Sequence, residues 1–261
     1  MTAPAAPDGV ATRSVLGRAL AVLDTFSHER PEQTLGAIGE AAGLPSATTH
    51  RLVGELVAWG ALERVGRGRY RIGLRLWQLS SLAPEPRTLR DVALAFLHDL
   101  LEVTHEVVHL AVLDGDRVLY LERLMARPEV HVRSRVARRL PLHATGPGKV
   151  LLAHAPDDVR SWVLSHLTRL TPYTVVQPGR LRAQLERARR DGFALTVEEM
   201  TLGACSVAVP VRVRGDVVAS VGVVVPDLRR DRARLVAALE VAARGIGRET
   251  TPSSFPLDGK A

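Results

Sequence analysis

The stretch of the chain with the clearest chemical signature is His105-Glu106-Val107-Val108-His109. On a helix, two histidines four residues apart share one face and can bind a single zinc ion, with the glutamate as the general base of a peptidase. On a strand the same histidines stand roughly 13 Å apart, which is too far for two Zn–N bonds of about 2 Å each. The motif therefore has chemical meaning only if these residues are helical.

The surrounding pattern predicts a strand. Apolar residues alternate from Val107 to Leu113, and Thr104 and His105 are expected to end the preceding helix. No third ligand follows at a suitable spacing, and the single cysteine, Cys205, excludes an intrachain disulfide and a cysteine-based zinc site. We therefore expect no metal, no cofactor and no peptidase activity here.

Length and composition describe a globular protein with room for two ordinary domains, since 261 residues are 46% apolar and 24% charged. No window approaches the roughly 18 apolar residues of a membrane span. The first residues lack a basic segment followed by an apolar one, so we expect a cytoplasmic protein. The formal net charge of +7 comes almost entirely from arginine, which suits phosphate and guanine recognition. Arginine bias can also follow genome base composition, so the positions of the arginines matter more than their number.

Apolar spacing in the first third predicts helices over residues 14–27, 35–43 and 46–59. Ser14 and Thr34 are the expected N-caps of the first two, and the third opens at Pro45 or Ser46 and stops at Gly60. The first helix has seven apolar residues at helical spacing, namely Val15, Leu16, Ala19, Leu20, Val22, Leu23 and Phe26.

Small polar and charged residues lie together at the start of the third helix. They are Ser46, Ala47, Thr48, His50 and Arg51. Two short helices joined by a glycine-containing turn, with such residues facing outward, suit entry into the major groove of double-stranded DNA. Arg51 can reach a phosphate or a guanine. The alternative is a three-helix packing domain without a role in DNA binding.

A basic hairpin is predicted directly after these helices, with strands Leu62–Val65 and Arg69–Ile72 around a turn containing Arg67. Arg69 and Arg71 share one face of the second strand, and apolar residues occupy the other. An arginine tip and an arginine face are typical of the wing of a winged helix, which contacts the DNA backbone or minor groove. A solvated charged hairpin is the alternative.

The segment "GLPSATTHRLVGELVAWGALER", followed by "GRYRIG", resembles the DNA-binding domain of the IclR family of bacterial transcriptional regulators. Ala47 stands where that family usually has serine, and Thr49 where it usually has valine. Because the Ala47 side chain cannot form a hydrogen bond, we expect this departure to change which operator sequence is recognised and to leave the mode of binding unchanged.

Residues 74–85 are expected to form a helical linker, since a helix over 74–82 is broken near Pro84 and Pro86. A helix over 86–103 follows, and then the pattern changes to strands. Hairpin turns are predicted at 114–116 and 214–216, an alternating strand-like stretch at 129–136, and further helices from Gly146 and over 157–167, 178–193 and 229–249. This order predicts an α+β fold, with one mixed sheet flanked by helices.

The resemblance extends into this second domain. The segments "LPLHATGPGKVLLA" and "RRDGFALTVEEMTLGACSVAVPV" are similar to motifs of IclR-type regulators, and in all it spans about residues 12–248. It implies a GAF/PAS-like domain that binds a small-molecule effector, and assembly as a homodimer or a dimer of dimers. The expected boundaries are a disordered tail at 1–11, a winged helix-turn-helix domain at 12–73, a linker at 74–85, an effector-binding domain at 86–249 and a second tail at 250–261.

The start of the helix at Gly146 is the expected site for an effector carboxylate, because helix N-termini present free N–H groups and a favourable dipole. The residues lining it would be Ala144, Thr145, Gly146 and Gly148. Pro147 removes one donor, and Thr145 acting only as a helix cap is the alternative. Cys205 is expected to line the same pocket as a packing residue and not as a reactive thiol.

In family members that bind small oxo-acids, the resemblance implies polar side chains at positions that look like Leu195, Gly222 and Val224. These positions are apolar or lack a side chain here. The expected effector is therefore a larger, partly hydrophobic carboxylate such as an aromatic or branched acid, with Gly222 and Val224 among its contacts.

Together these features favour a ligand-responsive regulator that binds a twofold-related DNA operator and changes its DNA affinity when the effector binds. One alternative is an enzyme built on the second domain, which would require a nucleophile–base pair or a metal cluster that the sequence does not present. The other is a small-molecule sensor whose N-terminal domain contacts protein, or only dimerises, instead of binding DNA.

Overall fold

The computed structural model describes residues 14–27, 29–82, 84–126, 136, 138–228 and 231–250, with the side chains of 84–88 left aside. The chain divides into two compact units, Met1–Ala83 and Pro84–Ala261. The tail predicted at 1–11 and nearly all of the strand-like stretch at 129–136 lie outside the described residues. At the other end Thr250, predicted to open the second tail, is instead buried and caps the last helix.

The first unit has the predicted winged helix-turn-helix arrangement. Its elements are α1 Val15–Asp24, β1 Glu32–Thr34, α2 Leu35–Ala42, α3 Ser46–Trp59, β2 Leu62–Val65, β3 Arg69–Ile72 and α4 Leu74–Ser80. Ser14 and Thr34 cap α1 and α2 by accepting from the N–H groups of Gly17 and Ala37, so both predicted helix starts are confirmed. The hairpin has its predicted bounds, and the unpredicted β1 pairs with β3, giving the antiparallel order β1-β3-β2.

The apolar residues of α1 are only partly buried. Val22 is fully buried in the core of this unit, together with Ile38 and Leu52. Val15, Leu16 and Leu20 are instead 50%, 69% and 50% exposed. Helix α1 therefore carries apolar side chains on its outer surface as well as on the side that packs into the core.

In the residues that the structure describes, the second unit has a six-stranded sheet with helices on both faces. Its elements are α5 Pro84–Thr104, β4 Val107–Asp114, β5 Arg117–Leu124, β6 Arg139–Pro141, α6 Gly146–His154, α7 Asp157–Ser165, α8 Pro178–Asp191, β7 Ala194–Val197, β8 Cys205–Val213, β9 Asp216–Val225 and α9 Arg232–Glu249. The strand order is β6-β5-β4-β9-β8-β7, and each of the five pairings is antiparallel. The α+β class is confirmed, but the strands of the described sheet run antiparallel throughout and not in mixed directions.

Successive residues of the strands contribute to two separate cores. Val207 and Val209 pack with α5 and α9, whereas Ala208, between them, packs with α6 and α8. This is the period-2 alternation of a strand that is buried on both sides. We call the second of these surfaces the α6 face.

The His105–His109 segment is not helical. Helix α5 ends at Thr104, His105 has a left-handed backbone with φ of 57°, and β4 begins at Val107. The predicted strand is thus confirmed, and the two histidines do not share a helix face. Within the described ranges no three His, Cys, Asp or Glu side chains are grouped so that they could bind a metal ion. The described helices also include none that is long and apolar enough to cross a membrane.

Candidate functional site

The start of α3 presents its predicted residues to solvent. Ser46, Ala47, His50 and Arg51 are exposed, and Thr48 is half-buried. The residue between them, Thr49, is fully buried, and its hydroxyl donates to the Pro45 carbonyl at 3.1 Å. The predicted DNA-contacting residues of α3 therefore lie together at its outward N-terminal end.

Close contact between α2 and α3 fixes that end in place. A Cβ atom added at Gly39 would lie 2.9 Å from the Thr49 hydroxyl and 3.3 Å from the Leu44 carbonyl. Gly39 thus allows the two helices of the motif to approach as closely as they do. A glycine on the inner side of a short helix is the sequence signal that could have identified this position.

Arg51 forms an ion pair with Glu55, one turn further along α3, at 2.7 Å. Both side chains are more than half exposed, and ion pairs of this kind contribute little to stability. Breaking the contact with Glu55 so that the guanidinium can bind a phosphate or a guanine therefore costs little free energy.

The three arginines predicted for the wing have different surroundings. Arg67 lies exposed at the tip with a left-handed backbone (φ 61°), and Arg69 is exposed with Glu32 of β1 at 4.0 Å. Arg71 instead donates from Nε and Nη2 to Glu63 Oε2 at 3.0 and 2.9 Å. All three wing arginines are therefore exposed, and Arg71 differs from the other two in its paired contact with Glu63.

The Glu63 carboxylate also joins the wing to the next helix. Its second oxygen accepts the N–H of Leu74, the first residue of α4, at 3.1 Å. The hydrogen bond from Arg71, reinforced by that from Leu74, holds the pKa of Glu63 below its usual range. The apolar back predicted for the wing is only half present, since Tyr70 is buried and Ile72 is exposed.

In the second unit, the N–H groups at the start of α6 are already engaged. Gly146 N–H donates to Ser206 Oγ at 3.1 Å, and Gly148 N–H donates to Oγ1 of the N-cap Thr145 at 3.1 Å. Lys149 N–H donates to the Thr145 carbonyl, and Pro147 has none. The N–H groups predicted to bind an effector carboxylate at this terminus therefore already have acceptors within the protein. Thr145 acts as the helix cap.

Gly222 lies directly under that first turn. A Cβ atom there would be 3.0 Å from the Ala208 Cβ and 3.2 Å from the Pro147 Cγ. Gly222 therefore forms, with Ala208, the floor on which α6 rests. It supports the α6 turn and is not an open lining position.

Cys205 lies on the other face of the sheet from Val224, although both were expected in one pocket. Val224 pairs across the β8–β9 ladder with Ser206, which contacts α6, whereas Cys205 pairs with Val225 and packs with α5 and α9. Its thiol lies 3.6 Å from the Pro226 carbonyl. The expectation that Cys205 lines the same surface as Val224 is therefore wrong.

Leu195 also lies on the face of the sheet opposite to the one expected. It pairs with Val207 and packs with the α5 and α9 side. The side chain that meets the α6 face is the neighbouring Thr196, whose hydroxyl lies 2.6 Å from that of Ser206. The α6 face is consequently more polar than the sequence comparison implied.

The α6 face also carries buried polar residues that were not predicted as site residues. His109 is paired with Gly222 and stacks edge-on against Tyr120, with ring centroids 4.9 Å apart. Burial, with a smaller contribution from the charge of Arg123, lowers the pKa of His109 to about 3. Burial raises the pKa of Tyr120. His109 is therefore neutral at physiological pH, and both rings are fixed beside the α6 turn.

Comparisons with known proteins cover both units. The helix-turn-helix domain of IclR matches residues 15–66, and the C-terminal domain of the bacterial transcriptional regulator IclR matches residues 85–248. The transcriptional regulator BhcR of Paracoccus denitrificans is 34% identical over 233 residues, which cover 85% of this chain and 81% of that protein. The regulator XynR of Escherichia coli is 33% identical over 197 residues, covering 74% and 78%.

Solved structures agree with these sequence matches. An IclR homolog from Microbacterium hydrocarbonoxydans, complexed with 4-hydroxybenzoate, is 41% identical with a TM-score of 0.86, covering 90% of this chain and 98% of that one. The IclR of Thermotoga maritima is 26% identical with a TM-score of 0.70, covering 90% and 97%.

Proposed function

Because the chain belongs to the IclR family of bacterial transcriptional regulators, we propose that it binds a twofold-related DNA operator and changes its affinity for that operator when it binds an aromatic organic acid. It has the helix-turn-helix DNA-binding domain and the C-terminal effector domain of this family. The observation that carries the choice of effector is the similarity to a structure complexed with 4-hydroxybenzoate, at 41% identity.

The DNA contacts are assigned to α3 and the tip of the wing. The contacts from α3 are Ser46, Ala47, Thr48, His50 and Arg51. Arg67 and Arg69 of the wing bind phosphates beside them, and their exposure supports this role. Arg71 contributes by holding the wing in place through Glu63.

The chain acts as a homodimer or a dimer of dimers. The exposed Val15, Leu16 and Leu20 of α1 support this assignment, since a second copy of the chain would remove their apolar surface from water. A twofold pair of DNA-binding units also matches a twofold-related operator.

The effector lies on the α6 face, beside the first turn of α6. Apolar Val224, the rings of His109 and Tyr120, and the hydroxyl groups of Thr196 and Ser206 suit an aromatic ring with polar substituents. Since its relatives are regulators, the role of this unit is binding and not catalysis. A DNA-binding regulator of this family acts in the cytoplasm.

Two measurements on the purified full-length chain test this proposal. A footprint on the DNA upstream of its own gene, with and without 4-hydroxybenzoate, should show a protected twofold site whose occupancy changes with the acid. Calorimetry should show binding of 4-hydroxybenzoate and none of glyoxylate or pyruvate. Binding of glyoxylate or pyruvate alone would overturn the effector class, and the absence of any footprint would favour a domain that contacts protein.

A further inference from the structure

Lys149 is a charged residue in the interior of the effector domain. It lies on α6 just after the first turn and is 1% exposed. Its ammonium donates to Glu199 Oε1 at 2.5 Å and to Gln184 Oε1 of α8 at 2.8 Å. Glu199 is itself buried, in the loop between β7 and β8.

The loop between α7 and α8 holds Glu199 in place. The Thr174 hydroxyl donates to the Glu199 carbonyl at 2.7 Å, and Val175 N–H donates to Glu199 Oε2 at 3.4 Å. The segment just before α6 is tied to the same loop, because His143 Nε2 lies 2.9 Å from the Thr168 carbonyl. Helix α6 is thus attached on this side through directional polar contacts.

Stability alone does not account for such a pair. Moving two charges out of water is costly, and apolar residues of similar volume often stabilise a core equally well. Burial accordingly acts to lower the pKa of Lys149, against the opposing effect of Glu199. What an ion pair adds is a fixed distance and direction between α6 and the rest of the domain.

On its opposite side, the first turn of α6 meets the face assigned to the effector. The N–H of Gly146 donates to Ser206 there, and Pro147 rests on Gly222. A small rotation or lift of α6 would therefore displace several groups beside the effector together.

We propose that Lys149 and Glu199 are a positioning pair, which fixes the first turn of α6 over the sheet and thereby sets the affinity for the effector without touching it. This inference rests on the proposed function only in naming the effector face; the positioning of α6 itself concerns the unliganded chain.

Three variants of the full chain separate positioning from stability: Lys149→Met, Glu199→Gln and the double variant. Lys149→Met leaves a buried carboxylate unpaired and should lower the midpoint of urea unfolding. The double variant removes both charges and should recover most of that loss. The Kd for 4-hydroxybenzoate should nevertheless stay raised about tenfold in the double variant, within the usual range of coupling between a site and its support. The amides of Gly146 and of residues 148–152 should exchange faster than in the wild type even without ligand.

The matched control is the exposed Glu240–Arg244 pair of α9, which lies at 3.6 Å. Glu240→Gln with Arg244→Met should change neither the Kd nor the exchange of α6. Wild-type Kd and wild-type exchange in the Lys149–Glu199 double variant would show that the pair is only structural. If the wild type does not bind 4-hydroxybenzoate, the effector class fails, while exchange in the unliganded variants still decides the positioning role.

Discussion

Glu63 and Arg71 face each other across the wing, and the same carboxylate binds both the Arg71 guanidinium and the N–H group that begins α4. An arginine that the sequence assigns to DNA thus connects the wing to the following helix. A basic residue can support DNA binding either by contacting the DNA itself or by holding the contacting surface in shape. The Glu63–Arg71 pair allows these two roles to be distinguished by mutation.

Arg69→Ala should weaken binding to all DNA sequences alike and reduce the slope of log K against log salt by about one, because one phosphate contact is lost. Arg71→Ala should weaken binding with little change in that slope. Glu63→Gln should reproduce the Arg71→Ala result, although Glu63 cannot attract DNA. Mobility shifts at four salt concentrations measure both quantities. Equal reductions in slope for Arg69→Ala and Arg71→Ala would show that Arg71 contacts a DNA phosphate directly.

Arg51→Ala should lower the preference for operator over unrelated DNA by about 1–3 kcal/mol, the contribution of one bidentate base contact. Binding to unrelated DNA should fall much less. Glu55→Gln, which removes the partner of Arg51 in the free protein, should preserve or tighten operator binding. Competition footprints with operator and unrelated DNA give the specificity ratio, and an unchanged ratio in Arg51→Ala would remove its assigned role.

Cys205→Ala and Ser206→Ala should differ because the two neighbours lie on opposite faces of the sheet. Ser206→Ala leaves the Gly146 N–H without its acceptor, which should lower the free energy of unfolding by about 1–3 kcal/mol and weaken effector binding. Cys205→Ala should leave the Kd for 4-hydroxybenzoate unchanged. Calorimetry and urea unfolding give both values. A weaker Kd in Cys205→Ala alone would place the effector on the α5 and α9 side.

Gly222→Val should lower the free energy of unfolding by about 1–3 kcal/mol, since the new side chain would press on Ala208 and Pro147 and lift α6. Gly179→Ala, in the first turn of α8, is the control, because nothing lies within 4 Å of the added Cβ. It should be neutral or stabilise by up to about 1 kcal/mol. Urea unfolding compares the two, and a neutral Gly222→Val would contradict the close seating of α6.

The free energy of unfolding should fall as the pH drops below about 6.5, in part because of His109. Its pKa is about 3 in the folded protein and about 6.5 when unfolded. Between these values the unfolded chain binds the proton and the folded one does not, so the contribution reaches about 1.4 kcal/mol per pH unit. His109→Gln should flatten the profile between pH 6.5 and 4. Parallel profiles for both proteins would mean that His109 is protonated in the folded state.

Local signals predicted most of the fold. The wing bounds follow from a glycine-flanked turn and short alternation, and Ser14 and Thr34 mark their helices by capping. The strand β1 escaped prediction because three residues of Glu-Gln-Thr have neither apolar spacing nor length. The exposure of Val15, Leu16 and Leu20 could not be predicted, because periodicity identifies an apolar side chain without saying what covers it.

The site was less predictable for a physical reason. Strand β8 is buried on both sides, so its sequence has almost no polar alternation to show which residues face α6. The predicted positions were therefore wrong by one residue: Cys205 was named in place of Ser206, and Leu195 in place of Thr196. Lys149 and Glu199 are 50 positions apart, and no local pattern links them.

Covering the sheet on both sides has a consequence for how such a regulator acquires a new effector. Two residues proposed to contact the ligand, Thr196 and Ser206, also bond to each other, and Ser206 accepts from the backbone of α6 as well. A mutation at either of them that altered the effector preference would also remove a contact that supports the fold. New preferences should therefore evolve through compensated pairs of substitutions and not through single changes.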